Sequence, residues 1–173
     1  MTDRKSAKHL IIGGGIIGCS IAYHLAKNGE RDIVLLERAN LTEGATWHAA
    51  GLVGQLRSSR NTTRMLKKSV EMYDKLQNEE GFQFDWKKTG SLRLASSKER
   101  LLEAKRLATM ARSFDLEMLI ISSQEAKELF PLIEENGLHG AAFIPSDGYV
   151  DPSALCSAIA NAAFPPATKD PKI

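Results

Sequence analysis

Residues 8–38 read KHLIIGGGIIGCSIAYHLAKNGERDIVLLER. The apolar run that ends at Ile12 stops against Gly13-Gly14-Gly15, as a buried strand does when it enters a tight turn. From Ile16 to Asn28, the residues Ile17, Ile21 and Leu25 and the small Cys19, Ala22 and Ala26 recur at helical spacing. Gly29 follows at the position where a helix commonly ends. Residues 32–37, DIVLLE, predict a second apolar strand closed by an acid. Strand, glycine turn, helix and strand in this order predict a βαβ unit with a right-handed crossover.

Gly13-x-Gly15-x-x-Gly18 fits the dinucleotide-binding pattern G-x-G-x-x-G. The pattern alone is weak. Here it follows a strand, opens a helix and precedes the acid Glu37 at the end of the next strand. Gly13 permits the tight turn, Gly15 lets a pyrophosphate approach the backbone, and Gly18 lets the helix pack close to the strand. The helix N-terminus supplies free N–H groups and a positive dipole end for the pyrophosphate. Glu37 is placed to accept hydrogen bonds from ribose hydroxyls and would repel a 2′-phosphate. These features do not separate NAD from FAD.

After Glu37 and Arg38 comes LTEGATWHAAGL, residues 41–52. Gly44, Ala45, Thr46, Ala49, Ala50, Gly51 and Leu52 surround the two large rings of Trp47 and His48. From there the chain stays small and polar to about Asn61. A helix is predicted from about Asn61 to Asn78, with Leu66, Val70, Tyr73 and Leu76 along one stripe and Gly81 beyond its end. Residues 90–95 alternate as a half-buried strand with Leu92 and Leu94 inward. Ser96 with Glu99 predicts a capping box for a helix carrying Leu101, Lys105, Ala108, Ala111 and Phe114. A short strand is expected at 117–121. Ser122 with Glu125 opens a further helix that Pro131 terminates, and 138–144 predicts another strand. Asp151-Pro152 is a helix start, followed by Leu155, Ile159 and Ala163. Residues 164–173, rich in proline, read as a disordered tail.

The chain of 173 residues is 43% hydrophobic and 25% charged, a globular composition. Its 23 basic and 21 acidic residues point to no nucleic-acid partner. The basic run Arg57, Arg60, Arg64, Lys67, Lys68 either attracts a carboxylate substrate or forms a solvated face. Cys19 and Cys156 have neither metal-type nor disulfide-framework spacing, so no metal site is expected and a reducing compartment fits. Cys19 is read as packing, and His9, His24 and His139 as structural or exposed. With no signal peptide and no apolar run of membrane-spanning length, the expectation is a cytoplasmic protein without a membrane partner, or a mitochondrial matrix protein if a leader has been lost.

GGGIIGCSIAYHLAKNG, then VLLER, then LTEGATWHAAGL resembles the flavin amine oxidoreductases of the D-amino-acid-oxidase superfamily, specifically the sarcosine and dimethylglycine dehydrogenase family. The resemblance continues through KTGSLRLASSKER and SDGYVDPSAL. It implies an α/β fold: an incomplete Rossmann-type FAD-binding domain, begun by the βαβ unit, with part of an α+β substrate domain. The implied division is 8–60 for the FAD domain, 61–150 for the substrate domain and 151–163 for a helix returning toward the FAD domain.

The resemblance implies FAD contacts at Ile16 and Ile17, adenosine-end contacts at Glu37 and Arg38, and a run along the ribityl chain and ring from Gly44 through Leu52. His48 falls on the family's covalent flavin attachment point, and an unprotonated imidazole offers the free lone pair that this needs. The implied reaction oxidises a small N-methyl amino acid by hydride transfer to the flavin, with an electron-transfer flavoprotein as acceptor. No catalytic residue is identified. The family's tetrahydrofolate site lies C-terminal to anything present here. Family members are far longer, so a fragment is expected, with the first strand lacking a partner on one side and apolar surface left exposed. The alternative is a non-catalytic truncated flavin-binding or regulatory relative; His48 argues against the regulatory one. A nicotinamide dehydrogenase would leave GATWHAAG without a role.

Overall fold

The computed structural model describes residues 6–165, which divide into two compact units. The first comprises the chain up to Gly51, then Glu80–Asp85, then the chain from Val150 on; the second comprises Leu52–Glu79 and Trp86–Tyr149.

In the first unit, β1 (His9–Ile12) and β2 (Ile33–Leu36) pair in parallel, joined by α1 (Ile16–Lys27). This is the predicted βαβ unit, within one or two residues of the expected bounds. The register sets Ile11 opposite Leu35 and Ile12 opposite Leu36. Ile11 and Ile33 are buried, whereas Leu10, Ile12 and Leu36 are 57%, 82% and 52% exposed. Strand alternation therefore gives the sheet one covered and one open face. Among the described residues β1 pairs with β2 alone. α1 ends at Asn28, with Gly29 at φ +90° as expected. A last helix (Pro152–Ala163) packs along α1, capped by Asp151, whose Oδ1 accepts from the N–H groups of Ser153 and Ala154 at 2.8 and 3.0 Å. Its buried Leu155, Cys156 and Ile159 follow helical spacing.

In the second unit, β3 (Leu52–Val53) follows directly on the GATWHAAG segment. Next come α2 (Arg60–Asn78), β4 (Ser91–Ala95), α3 (Lys98–Ser113), β5 (Leu119–Ile121), α4 (Ser123–Leu129), β6 (Gly140–Ile144) and β7 (Gly148–Tyr149), so the capped helix of the first unit is α5. The strands β4-β6-β5 form an antiparallel sheet with β6 central. Ala142 and Ile144 pack with Ala104, Ala108 and Ala111 of α3, while Ala141 packs with Ala126 of α4. The sheet is thus covered on both faces. Asp147, 1% exposed, ties the unit together: its Oδ1 accepts from Gln55 N and Nε2 at 3.0 and 2.9 Å, and its Oδ2 accepts from Ser91 Oγ at 2.6 Å. A buried carboxylate needs such donors, since without them its desolvation would be uncompensated.

Several local expectations are corrected. The cap of α3 is Ser97, whose side chain accepts from Arg100 N, not Ser96; with Arg100 at the third helical position there is no capping box. Glu99 instead receives a hydrogen bond from Ser97. Leu94 is 46% exposed, because β4 is an edge strand of its sheet. The stretch after His48 is not uniformly irregular: β3 pairs antiparallel with β7, a two-residue ladder too short to leave a period in sequence. Ser122 and Glu125 do form the expected capping box. Of the 164–173 tail, 166–173 lie outside the described residues.

Candidate functional site

The glycine turn closes β1 onto α1. Gly13 sits at φ +109°, a conformation that side-chain-bearing residues rarely adopt, and its N–H donates to Leu36 O at 2.8 Å. A Cβ on Gly18 would lie 2.0 Å from Gly13 O, so the helix approaches the turn more closely than any side chain allows. Gly14 has a role that the G-x-G-x-x-G pattern does not assign. Its N–H donates to Glu37 Oε2 at 2.6 Å, and a Cβ there would meet Leu41 Cδ2 at 2.5 Å. Three glycines in a row were the available signal; the partner, Leu41, was not legible.

Glu37 Oε1 also accepts from Ala39 N at 3.1 Å. The Gly14 N–H first, then that of Ala39, hold the Glu37 carboxyl below its ordinary range. Each carboxylate oxygen keeps lone pairs beyond the bond it receives, so ribose hydroxyls remain eligible donors. Arg38 is exposed beside it.

Thr46 joins the second half of the site to the first. It is 6% exposed, and its Oγ1 accepts from Ile16 N at 3.0 Å, satisfying the first N–H of α1. The N–H groups of Gly15, Ile17 and Gly18 have no acceptor among the described residues. These are the unpaired donors that suit an anion at a helix start. Ile17 stands 75% exposed beside them.

From Gly44 to Ala50 every residue except Thr46 is exposed. Trp47 is 69% exposed and Leu52 81%. The segment is held by turns: Trp47 N donates to Thr42 O at 3.0 Å and Ala49 N to Thr46 O at 3.2 Å. His48 Nδ1 lies 3.0 Å from Gly44 O. A carbonyl only accepts, so Nδ1 carries the proton and the exposed Nε2 keeps the lone pair in the neutral ring. At Gly51, φ is +74° and its carbonyl accepts from Val150 N at 2.9 Å.

The expected residues of the first unit, Gly13, Gly15, Ile16, Ile17, Gly18, Glu37 and Gly44 through Gly51, are therefore one connected assembly around the start of α1. Leu52 belongs to the second unit. The free N–H groups and the carboxylate at the strand end fit a flavin dinucleotide in the chemistry of the donor set. Behind the turn, Cys19 Sγ and Cys156 Sγ lie 3.5 and 3.7 Å from Gly14 O. Both thiols are fully buried, and burial pushes Cys156 up to about 12. They pack and do not react. Among the described residues no cluster could hold a metal ion, and no helix is long and apolar enough to cross a membrane.

The profile of the family of FAD dependent oxidoreductases named DAO matches residues 8–164. The chain is 40% identical over 160 residues to the mitochondrial sarcosine dehydrogenase of Homo sapiens and 41% identical over 160 residues to the mitochondrial dimethylglycine dehydrogenase of Rattus norvegicus. Both alignments cover 92% of this chain but only 17% and 19% of those proteins. Its fold superposes on the L-proline dehydrogenase of P. horikoshii with a TM-score of 0.85 at 33% identity, over 91% of this chain and 41% of that one. A two-strand βαβ opening with this glycine turn, read together with a match across nearly all the described residues, makes the chain a member of the FAD-dependent oxidoreductase family.

Proposed function

We propose that the chain carries the cofactor-binding opening of an FAD-dependent dehydrogenase acting on a small N-methyl amino acid of the sarcosine or dimethylglycine type. The observation that carries this reading is the Thr46 bridge. It fixes the GATWH segment to the start of α1, so the free N–H groups and His48 belong to one preorganised surface. In this reading the N–H groups of Gly15, Ile17 and Gly18 bind the pyrophosphate, Glu37 takes the adenosine ribose, and Arg38 lies at the adenosine end. The run from Gly44 to Leu52 lines the ribityl chain and ring, and its small residues keep the backbone near the ligand. When bound, FAD supplies a ring that accepts a hydride from the carbon next to the substrate nitrogen.

His48 Nε2 is the proposed covalent attachment atom, because Nδ1 is tied to Gly44 O and Nε2 alone is free. An electron-transfer flavoprotein is the proposed acceptor. The proposed compartment is reducing, in keeping with two buried free thiols.

The test is to express the 173-residue chain in flavin-replete cells, precipitate it with acid and record the flavin absorbance of the pellet, with His48→Ala alongside. The expected result is flavin retained by the wild type and released by the variant. Flavin released from both would remove the covalent bond from the proposal, and no flavin in the native protein would remove the cofactor from this chain.

A further inference from the structure

The second unit holds a cleft of about 530 Å³ between the first three turns of α2 and the turn that follows α3. Its walls carry four basic side chains, Arg60, Arg64, Lys67 and Lys68, against two acids, Glu71 and Asp115. Lys67 is committed, since its Nζ donates to the carbonyls of Phe114 and Asp115 and clamps the turn to α2. Lys68 pairs with Glu71. Among the described residues the guanidinium groups of Arg60 and Arg64 have no partner.

This arrangement works against the helix that carries it. Arg60 and Arg64 stand four residues apart, as do Arg64 and Lys68, and like charges at that spacing repel. Arg60 is the first residue of α2, and no acid occupies its first turn, although that end of a helix favours negative charge. Local conflicts of this kind gather at functional sites, and a bound anion would relieve both. The guanidinium fork matches phosphate oxygens in pairs. The half-buried Phe114 and the exposed Met65 line the same cleft and offer apolar contact to a carbon frame. The volume is that of a small-molecule site.

We infer that this cleft binds a small phosphate-bearing organic anion of at least two negative charges, gripped by Arg60 and Arg64 with Phe114 against its carbon frame. The inference is independent of the flavin reading.

The test titrates the full 173-residue chain calorimetrically with tripolyphosphate and with phenyl phosphate, at an ionic strength near that of cells. Backbone amide shifts are followed by NMR to separate this cleft from the glycine turn. Saturable binding is expected, with shifts at residues 60–68 and 114, at least ten-fold weakening in R60Q/R64Q, and less than two-fold change in K105Q/R106Q on the exposed face of α3. R64K, which keeps the charge and loses the fork, is expected to weaken binding about three-fold. This milder variant also serves as a second reading should the double variant fold poorly. Two outcomes would overturn the inference: no saturable binding, or equal weakening in both double variants.

Discussion

The two sheets of this chain treat their apolar side chains in opposite ways. In the β4-β6-β5 sheet the central strand is sealed on both faces, with Ala141 and Ala142 at 0% and Ile144 at 1% exposure. In the β1-β2 sheet one face lies against α1, while Leu10, Ile12 and Leu36 stand open. The strands are comparably apolar, so sequence hydrophobicity alone does not tell which face is covered. This antiparallel sheet carries its own cover in α3 and α4, the helices that connect its strands within a short stretch of chain. A parallel sheet is normally buried on both faces, and its layers come from segments far apart in sequence. The described residues supply one such layer to β1 and β2.

The strongest test of this contrast is a pair of truncations. Ile144→Ala is expected to destabilise the second unit by about 2–5 kcal/mol, the range for emptying a buried branched site. Ile12→Ala is expected to change stability by no more than about 0.5 kcal/mol. Urea midpoints of the two variants decide; equal losses would mean that the open face is covered in solution. Next in size is Gly18→Ala. A methyl placed 2.0 Å from Gly13 O must displace the turn, at an expected cost of about 1–3 kcal/mol in the first unit. Unchanged melting of that variant would refute the close approach of α1 to the turn.

A smaller effect separates two neighbouring serines. Ser97→Ala is expected to cost about 1 kcal/mol and Ser96→Ala a few tenths, because only Ser97 caps α3. The reverse order in thermal melts would restore the sequence-based cap. The smallest effect concerns Glu37. Its carboxyl is held below its ordinary value of 4.5 by the Gly14 N–H first. It therefore contributes stability above that ordinary value and loses it as the pH falls through the lowered pKa. Between about pH 5 and about pH 3 the wild type is expected to lose melting temperature more steeply than Glu37→Gln. Parallel curves would break the link between Glu37 and the turn.

What was legible in the sequence was what is local. The βαβ unit, the Ser122–Glu125 box and the Asp151-Pro152 start each place signal and effect within a few residues. The Ser96–Glu99 box failed by one position because two serines adjoin and only backbone geometry selects between them. β3 and β7 escaped because two residues carry no period. The Thr46 bridge to Ile16, the Leu41 contact with Gly14 and the approach of Cys156 to the turn link positions 27 to 142 residues apart, and no pattern along the chain encodes such meetings. The glycine fingerprint located the turn at the start of α1, but not the side chains of Thr46 and Leu41 that meet it.

The shared carbonyl of Gly14 has a consequence in time. It accepts from Thr42 N at 3.1 Å and lies against the thiols of both Cys19 and Cys156. Thr42 and Cys19 leave the ribosome soon after the turn itself, whereas Cys156 is made more than a hundred residues later. At roughly 5–20 residues per second, the nascent turn waits on the order of ten seconds for its last neighbour. Through that interval the back of the turn stands without α5, so the turn is made well before the packing behind it is complete.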